Sequence, residues 1–219
     1  AKEEDEVSRL FIPSPHHYIL FFTNRGRVYR LRTHEIPPAS RQARGMAIIN
    51  LIQIESGEKV HATLAIKEFA PDRYAFMATH KGTVKKVALE SLHTRQKGGL
   101  IAVTLKQGDE LCWVDITDGE QDIILATKKG MSVRFKEEEV RPMGRQATGV
   151  RGIRLRKGDE GVGMSTDRKG AELLVATELG LGKRTPLSEY RRQSRGGIGI
   201  KTLNITAKNG PLVGMAGVD

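Results

Sequence analysis

The sequence contains a single cysteine, few aromatic residues and no long apolar segment. Cys112 stands alone among 219 residues, so an internal disulfide and a thiolate metal cluster are both excluded, and a cytoplasmic, reducing environment is favoured. Aromatic residues make up only 5% of the chain, too few for a surface that stacks on unpaired bases. The most apolar run, Tyr18 to Phe22, is far shorter than the roughly 20 residues that a membrane-spanning helix needs. The acidic start, Ala1 to Glu6, does not have the composition of a signal peptide.

The charge balance is strongly positive. Lys and Arg number 36 against 26 Asp and Glu, which gives a net charge of +10. With 38% hydrophobic and 28% charged residues, the composition is that of a folded globular chain large enough to bury a core. A positive excess alone indicates only a basic surface, and the placement of the cations decides whether a polyanion is the partner.

An internal repeat organises the chain. The pattern Thr-x-x-Gly occurs four times, ending at Gly26, Gly82, Gly130 and Gly180. A period near 50 residues is typical of propellers and solenoids. An apolar strand precedes each copy, and the glycine suits the positive-φ position of a hairpin turn.

Each unit contains the material for four strands. After the hairpin come an acidic stretch with an apolar residue, an Arg-Gln pair, a strand that ends in leucine, a glycine turn and a last strand. No heptad or 3.6-residue period competes, so the chain is predicted to be all-β, as a propeller-like array of about four four-stranded blades. The predicted units of this single domain (1–219) are residues 17–66, 73–116, 121–166 and 171–218, with 1–16 as the tail end of a preceding blade.

Cations recur at fixed places in the repeat. Four residues after each glycine stands Arg30, Lys86, Arg134 or Arg184. Since side chains alternate along a strand, equal offsets predict that these cations point the same way and form a row. The Arg-Gln pairs begin at Arg41, Arg95, Arg145 and Arg192.

The repeat resembles the C-terminal domain of the gyrase A protein, from the bacterial type II topoisomerases known as DNA gyrase. The similarity lies in 24–29, 82–86, 133–136 and 148–155 and extends over essentially the whole chain. The resemblance implies a β-pinwheel, in which neighbouring blades exchange strands, with a rim that binds duplex DNA and wraps it. It implies as partners DNA, the remainder of gyrase A and the ATPase component, gyrase B, which drives negative supercoiling in a cytoplasmic, nucleoid-associated enzyme. Family members usually have more than four blades, so the chain is expected to be a piece of a longer array.

One signature of that family is altered here. The gyrase box, Gln-Arg-Arg-Gly-Gly-Lys-Gly, has its nearest match at Gln193 to Gly199 in the last unit, where Ser194 and Ile198 replace two cations. A related loop in each blade is expected from repetition alone, and this interpretation is favoured over a displaced box; the usual arrangement of the family would place the true box upstream. The departure leaves open the corresponding A-type component of topoisomerase IV, whose boxes are degenerate. A protein-docking propeller is a further alternative, and would show an apolar or mixed-charge rim.

The residues expected to contact DNA follow from the repeat. Duplex DNA is a rod of phosphates that Lys and Arg bind by counterion release, and contacts to the backbone position the duplex without reading its sequence. The predicted contacts at and after the hairpin tips are Arg25, Arg27, Arg30, Lys81, Lys85, Lys86, Lys128, Lys129, Arg134, Lys183 and Arg184. Those in the Arg-Gln loops are Arg41, Arg44, Arg95, Lys97, Arg145, Arg151, Arg192, Gln193, Arg195, Gly196 and Gly197. For any one cation the alternative is a solvated surface charge, and for the glutamines it is a structural hydrogen bond that closes the loop.

No catalytic, metal or cofactor site is predicted in this chain. The Gly180 to Thr185 stretch lacks the first glycine and the final Ser/Thr of a P-loop. The six histidines show no metal-binding spacing. The resemblance places the DNA-cleaving tyrosine of gyrase in the N-terminal part of gyrase A, so none of the four tyrosines here inherits that role.

Overall fold

The computed structural model describes residues 17–36, 50–93 and 98–219, which form β-strands and four short 3-10 helices. The strands are β1 (Tyr18–Thr23), β2 (Arg27–Arg32), β3 (Val60–Ile66), β4 (Tyr74–Thr79), β5 (Thr83–Ala88), β6 (Leu100–Ile101), β7 (Leu111–Thr117), β8 (Asp122–Thr127), β9 (Met131–Lys136), β10 (Val150–Arg151), β11 (Gly161–Thr166), β12 (Glu172–Thr177), β13 (Gly182–Pro186), β14 (Ile200–Lys201) and β15 (Leu212–Val218). The 3-10 helices are Thr33–Glu35, Leu89–Leu92, Glu137–Glu139 and Leu187–Glu189. The all-β prediction is confirmed. Among the described residues, no helix has the length and apolar character needed to cross a bilayer. The predicted tail of a preceding blade, 1–16, lies outside the described ranges.

Each Thr-x-x-Gly forms the tight turn of a hairpin. In the third copy the Gly130 N–H donates to the Thr127 carbonyl at 2.9 Å, and the Thr127 hydroxyl accepts the Met131 N–H at 3.1 Å. Gly130 has a φ of 86°, a conformation that a residue with a Cβ rarely adopts. The threonine therefore closes the turn with its side chain, and the glycine supplies the required backbone geometry.

Neighbouring units exchange strands. The sheet orders are β3-β1-β2-β6, β10-β5-β4-β7, β11-β8-β9-β14 and β13-β12-β15. Each of β6, β10 and β14 belongs in sequence to one unit but completes the outer edge of the sheet of the preceding unit. The predicted β-pinwheel is therefore confirmed: in the first three sheets, three strands come from one unit and the fourth comes from the next unit. This exchange is the β-pinwheel arrangement.

The donated strand fits closely over the hairpin glycine. The Gly82 carbonyl accepts the N–H groups of Gly152 at 2.8 Å and Ile153 at 3.3 Å, and a Cβ on Gly82 would lie 2.8 Å from the Ile153 oxygen. Gly26 and Gly130 receive the same pair of bonds from the units that follow them. The glycines therefore serve the contact between units as well as the turn.

The hydrophobic core lies between successive sheets. Ala75 and Met77 of β4 pack with the first sheet, while Phe76 and Ala78 of the same strand pack with the third. Because both faces of this strand are covered, its sequence is continuously apolar rather than alternating. A buried apolar side chain stands directly after the first and the third 3-10 helix, at Ile36 and Val140. These are the apolar residues of the acidic stretches noted in the sequence.

A pair of glycine variants separates the turn geometry from the contact between units. A Cβ on Gly130 would lie 2.3 Å from the Leu203 oxygen, whereas a Cβ on Gly180 would meet nothing within 4 Å, although both residues have a positive φ. We expect Gly180→Ala to lower the free energy of unfolding by about 1–2 kcal/mol, the cost of the left-handed conformation alone, and Gly130→Ala to cost more, about 3 kcal/mol or above. Urea unfolding of both variants measures the difference. Equal losses would show that the donated strand does not require glycine.

Candidate nucleic-acid interface

Two donated strands carry cations on the outer edges of the second and third sheets. In β10, Arg151 pairs with Thr83, and in β14, Lys201 pairs with Met131. Both Arg151 and Lys201 have exposed side chains, while the residue before each is partly covered. The strand exchange thus places one outward cation on each of these two edges.

The loop that leads into β14 touches β10 and the residues that follow it. The Gly196 N–H donates to the Gly152 carbonyl at 2.8 Å, and the Arg154 N–H donates to the Gly197 carbonyl at 2.8 Å. The Arg195 guanidinium donates to the Arg151 carbonyl at 2.6 Å. Consecutive units therefore join their basic loops into one surface, here called the outer basic surface. Its cations are Arg145, Arg151, Arg154, Arg191, Arg192, Arg195 and Lys201.

Three cations of this surface, Arg154, Arg191 and Lys201, were not among the predicted contacts. The predicted contacts were chosen by equal offsets from the hairpin glycines and by Arg-Gln pairs, and these three cations meet neither criterion. The donated strands bring these cations close to the predicted ones. The sequence does carry one signal for Lys201: it stands two residues after Gly199, as Arg151 stands two residues after Gly149. Gly196 and Gly197, both predicted, supply main-chain contacts within the surface.

The hairpin-tip cations form a second, mixed-charge region. Arg25 and Arg27 each bond Glu55 at 2.8 Å. The Lys81 and Lys129 ammonium groups donate to main-chain carbonyls of the adjacent glycine turns, at 3.0 and 2.6 Å, and Lys128 lies 3.7 Å from Glu160. These predicted side chains are at least partly exposed, but several are already paired with carboxylates. In the outer basic surface, by comparison, Arg192 is the one cation with a side-chain ion pair among the described residues, and its partner is Asp122, so the tips are less available to an anion.

The predicted row of cations at the fourth position after the glycine is wrong for the middle units. Lys86 is only 4% exposed, and its ammonium donates to the Glu137 carbonyl at 3.2 Å. Arg134 is largely buried, with bonds to the carbonyls of Leu187 and Tyr190 at 2.8 and 3.2 Å. Both therefore hold the 3-10 helix of the next unit, because that unit packs over the strand face on which a free cation was expected.

Each of these cations is also held by the first residue of its hairpin. The cation and that residue are diagonal neighbours across the two strands, a separation that long side chains bridge. The partners are Tyr18 for Arg30, Tyr74 for Lys86, Asp122 for Arg134 and Glu172 for Arg184. Arg30 is half-buried, whereas Arg184 and Lys183 on the last hairpin are exposed, so of the four equivalent cations Arg184 is the one whose side chain is exposed.

Lys85 contradicts the prediction of a surface cation in another way. Its side chain is 1% exposed, and its ammonium donates to the carbonyls of Ala102, Arg145 and Ala147 at 2.7, 2.6 and 2.8 Å. Three acceptors match the three N–H groups of an ammonium, which ties the second unit to the loop of the third. Burial, together with the nearby Arg145 charge, lowers the pKa of Lys85 to about 8.

The Arg-Gln pairs of the last two units are not structurally equivalent. The Met143 N–H donates to the Lys86 carbonyl as the Gln193 N–H donates to the Arg134 carbonyl, at 2.8 and 2.7 Å. Pro142 forms an isolated parallel β-bridge with Lys86, as Arg192 does with Arg134. Arg192 therefore corresponds to Pro142, and Arg195 corresponds to Arg145. The Arg-Gln alignment, which matches Arg192 with Arg145, is out of register by three residues. The period of 50 residues is the reliable register here, and the shared dipeptide is not.

Four predicted contacts, Arg41, Arg44, Arg95 and Lys97, lie outside the described residues. Their role stays a prediction.

A cavity of about 290 Å³ lies between strands β3, β7 and β11. It is lined by His61, Cys112, Trp113, Asp115 and Lys169 among others. Burial raises the pKa of Cys112 to about 12, so the thiol is not a nucleophilic thiolate at neutral pH. Asp115 lies 3.1 Å from Lys169, a pair that links units. No arrangement of nucleophile and base is present in this cavity as the structure describes it.

The fold and the site together define a repeat β-pinwheel with a basic outer surface built where neighbouring units exchange strands. The family described as "DNA gyrase C-terminal domain, beta-propeller" matches the sequence four times, at residues 17–67, 73–118, 121–166 and 171–219. The chain belongs to this family.

Individual relatives agree with the family. The gyrase A protein of Halalkalibacterium halodurans is 50% identical over 148 residues, which are 68% of this chain and 18% of the relative. Among solved structures, a C-terminal domain of DNA topoisomerase IV aligns with a TM-score of 0.85 and 29% identity, over 94% of this chain and 64% of that one. A DNA gyrase A C-terminal domain aligns with a TM-score of 0.77 and 25% identity, over 94% and 67%. The chain thus spans less than a fifth of the length of the Halalkalibacterium relative.

The buried ammonium of Lys85 predicts a pH dependence. Its pKa is about 8 in the folded chain and about 10.4 in an unfolded one. Between these values the unfolded state binds more protons, so stability rises with pH. Relative to Lys85→Met, the wild type should therefore gain free energy of unfolding from about pH 8 to pH 10, with a slope of at most about 1.4 kcal/mol per pH unit. Urea unfolding at pH 7.5, 8.5 and 9.5 measures the difference, and a constant difference would contradict the lowered pKa.

Proposed function

We propose that this chain binds duplex DNA without sequence preference along the outer basic surface, and that it bends or wraps the duplex. The observation that carries the proposal is the joining of basic loops from two consecutive units through the contacts of Gly196 and Arg195 with the preceding strand. Family membership and gyrase relatives support DNA as the polyanion.

The chemistry of the surface suits the DNA backbone. Six of its seven cations are arginines, whose planar guanidinium binds phosphate through two parallel hydrogen bonds. Five of the seven side chains are exposed, while their main chains are held in strands and bonded loops. Such contacts fix the path of the duplex and leave its sequence unread.

Bending requires several contacts that act together. A bend of 40–90° over 20–30 base pairs costs on the order of 1–6 kcal/mol, more than one exposed charge provides. A surface assembled from consecutive units distributes phosphate contacts along an arc. The strand exchange that builds the surface therefore also suits it to a curved duplex.

The proposed biological setting is a cytoplasmic, nucleoid-associated type II topoisomerase. In that setting the chain is a non-catalytic part of gyrase A, and it acts with the remainder of gyrase A and with the ATPase component, gyrase B, in ATP-dependent negative supercoiling. The second candidate is the A-type component of topoisomerase IV, where the domain would select DNA geometry. Its specific support is the higher TM-score to a topoisomerase IV domain, whereas the 50% identity to a gyrase A protein favours gyrase.

The location of the interface is testable with two variants of equal charge. Arg151→Gln with Lys201→Gln removes two cations from the outer basic surface. Lys67→Gln with Arg73→Gln removes two exposed cations at the ends of the sheets away from the hairpin tips. The logarithm of the affinity falls with the logarithm of the salt concentration by about 0.9 per neutralised phosphate. In the first variant this salt slope should therefore be smaller in magnitude by about 1.8, and the affinity at low salt should be lower than that of the wild type.

Fluorescence anisotropy with a labelled 40-base-pair duplex across a salt series provides the measurement. The control variant should retain the wild-type slope, although its net charge is the same as that of the first variant. Equal losses in both variants would mean that net charge rather than this surface governs binding. Absence of wild-type binding at low salt would overturn the proposed function and favour a docking propeller.

Wrapping is tested separately by DNA topology. We expect that a closed plasmid relaxed by a type I topoisomerase in the presence of the chain will keep a shifted linking number after the protein is removed. The Arg151→Gln/Lys201→Gln variant should reduce the shift at equal protein occupancy. Binding without any shift would retain DNA contact but remove the wrapping part of the proposal.

A further inference from the structure

One carboxylate at the junction of the third and fourth units holds two arginines. Asp122 Oδ2 lies 2.7 Å from the Nε of Arg134 and 2.7 Å from the Nε of Arg192, and the Asp122 side chain is 3% exposed. Arg134 comes from the same unit as Asp122, and Arg192 comes from the next. A single buried oxygen therefore connects the interior of the junction to the outer basic surface.

Arg192 is held at one end and open at the other. Its Nε–H is bonded to Asp122, its side chain is 54% exposed, and its two terminal nitrogens have no hydrogen-bond partner among the described residues. The bond to Asp122 also raises the pKa of Arg192. Because the terminal nitrogens carry four of the five N–H donors of a guanidinium, the donors that a phosphate would use are free.

Among the residues that the structure describes, this arrangement occurs at one junction. At the preceding junction Pro142 stands in the place of Arg192, and Tyr74 stands in the place of Asp122 with Lys86 over its ring. In the fourth unit, Glu172 holds Arg184 at 3.4 Å without a second arginine among the described residues. At the other hairpins the first residue contacts cations of its own unit, whereas Asp122 also reaches a cation supplied by the next unit.

We propose that Asp122 is a positioning residue that orients Arg192 as a phosphate ligand of the outer basic surface. The proposal rests on the DNA-binding function proposed above. An exposed arginine loses side-chain entropy when a ligand immobilises it, and this loss weakens binding. Asp122 imposes that order before DNA arrives, and its own burial against Arg134 fixes the position from which it does so.

The alternative role of Asp122 makes the opposite prediction. A carboxylate that merely competed with phosphate for Arg192 would weaken DNA binding, and its removal would strengthen binding. Removal also makes the surface more positive, which by itself favours DNA. A loss of affinity on neutralising Asp122 would therefore run against the electrostatic change and identify orientation as the cause.

A double-mutant cycle on the 219-residue chain tests the proposal. Asp122→Asn should lower affinity for a 40-base-pair duplex about 2- to 10-fold without decreasing the salt slope. Arg192→Met should lower affinity and reduce the slope by about 0.9. In the Arg192→Met background, Asp122→Asn should not lower affinity further, because the two losses act through one contact. Glu172→Gln is the matched control, since it removes a carboxylate from a single arginine, and it should not weaken binding.

The outcomes separate the proposal from its basis. Equal effects of Asp122→Asn in both backgrounds would indicate a general loosening of the junction, and a gain of affinity would indicate competition; either result overturns the positioning role. Wild-type binding that Arg192→Met leaves unchanged would also overturn it while the proposed function stands. Absence of wild-type binding would overturn both.

A variant that leaves Asp122 intact guards against unfolding of the junction. Arg192→Lys keeps the positive charge but removes the Nε–H that Asp122 holds. It should therefore lose most of the affinity that Arg192→Met loses, while keeping the wild-type salt slope. Full wild-type affinity in Arg192→Lys would show that charge alone suffices and would overturn the proposal. Thermal unfolding of every variant, followed by circular dichroism, checks that the fold is retained.

Discussion

The structure depends on one contact, the seating of a donated strand over the glycine of the preceding hairpin. The glycine carbonyl accepts two N–H groups from the next unit, and the space that a Cβ would occupy is filled by a carbonyl oxygen of that unit. Three demands therefore converge on one position: a positive φ, close approach and an available acceptor. Because the contact joins units, each of the first three sheets is completed by a strand of its successor.

The same dependence between units explains which cations are buried. A strand period establishes that Lys86 and Arg134 occupy equivalent positions, and the structure agrees that they do. It does not establish what covers those positions, because the cover comes from residues about 50 positions later in the chain. Both side chains accordingly serve as anchors for the next 3-10 helix, while Arg184 in the last unit remains exposed.

Much of the fold could be predicted from the sequence, but less of the site. The repeat, the apolar strands and the glycine turns each have a local signal, so their prediction is reliable. The partner strand of each sheet edge has only two residues, such as Ile200 and Lys201, and its pairing is non-local. The Arg-Gln dipeptide fails for a related reason: it aligns Arg192 with Arg145, whereas the 50-residue spacing of the last two units and the backbone contacts align Arg192 with Pro142.

These constraints explain which cations are bound by main-chain carbonyls and which by a carboxylate. Where a cation is buried against another unit, as Lys85 is, main-chain carbonyls accept its hydrogen bonds, and burial of its charge costs free energy. Where a cation stands at the junction of two units, a buried carboxylate can share one oxygen between an interior arginine and an exposed one. Such a junction stabilises the array and orders a surface donor with the same atoms. A repeat protein of this design therefore gains order at its surface from the interfaces that already hold its units together.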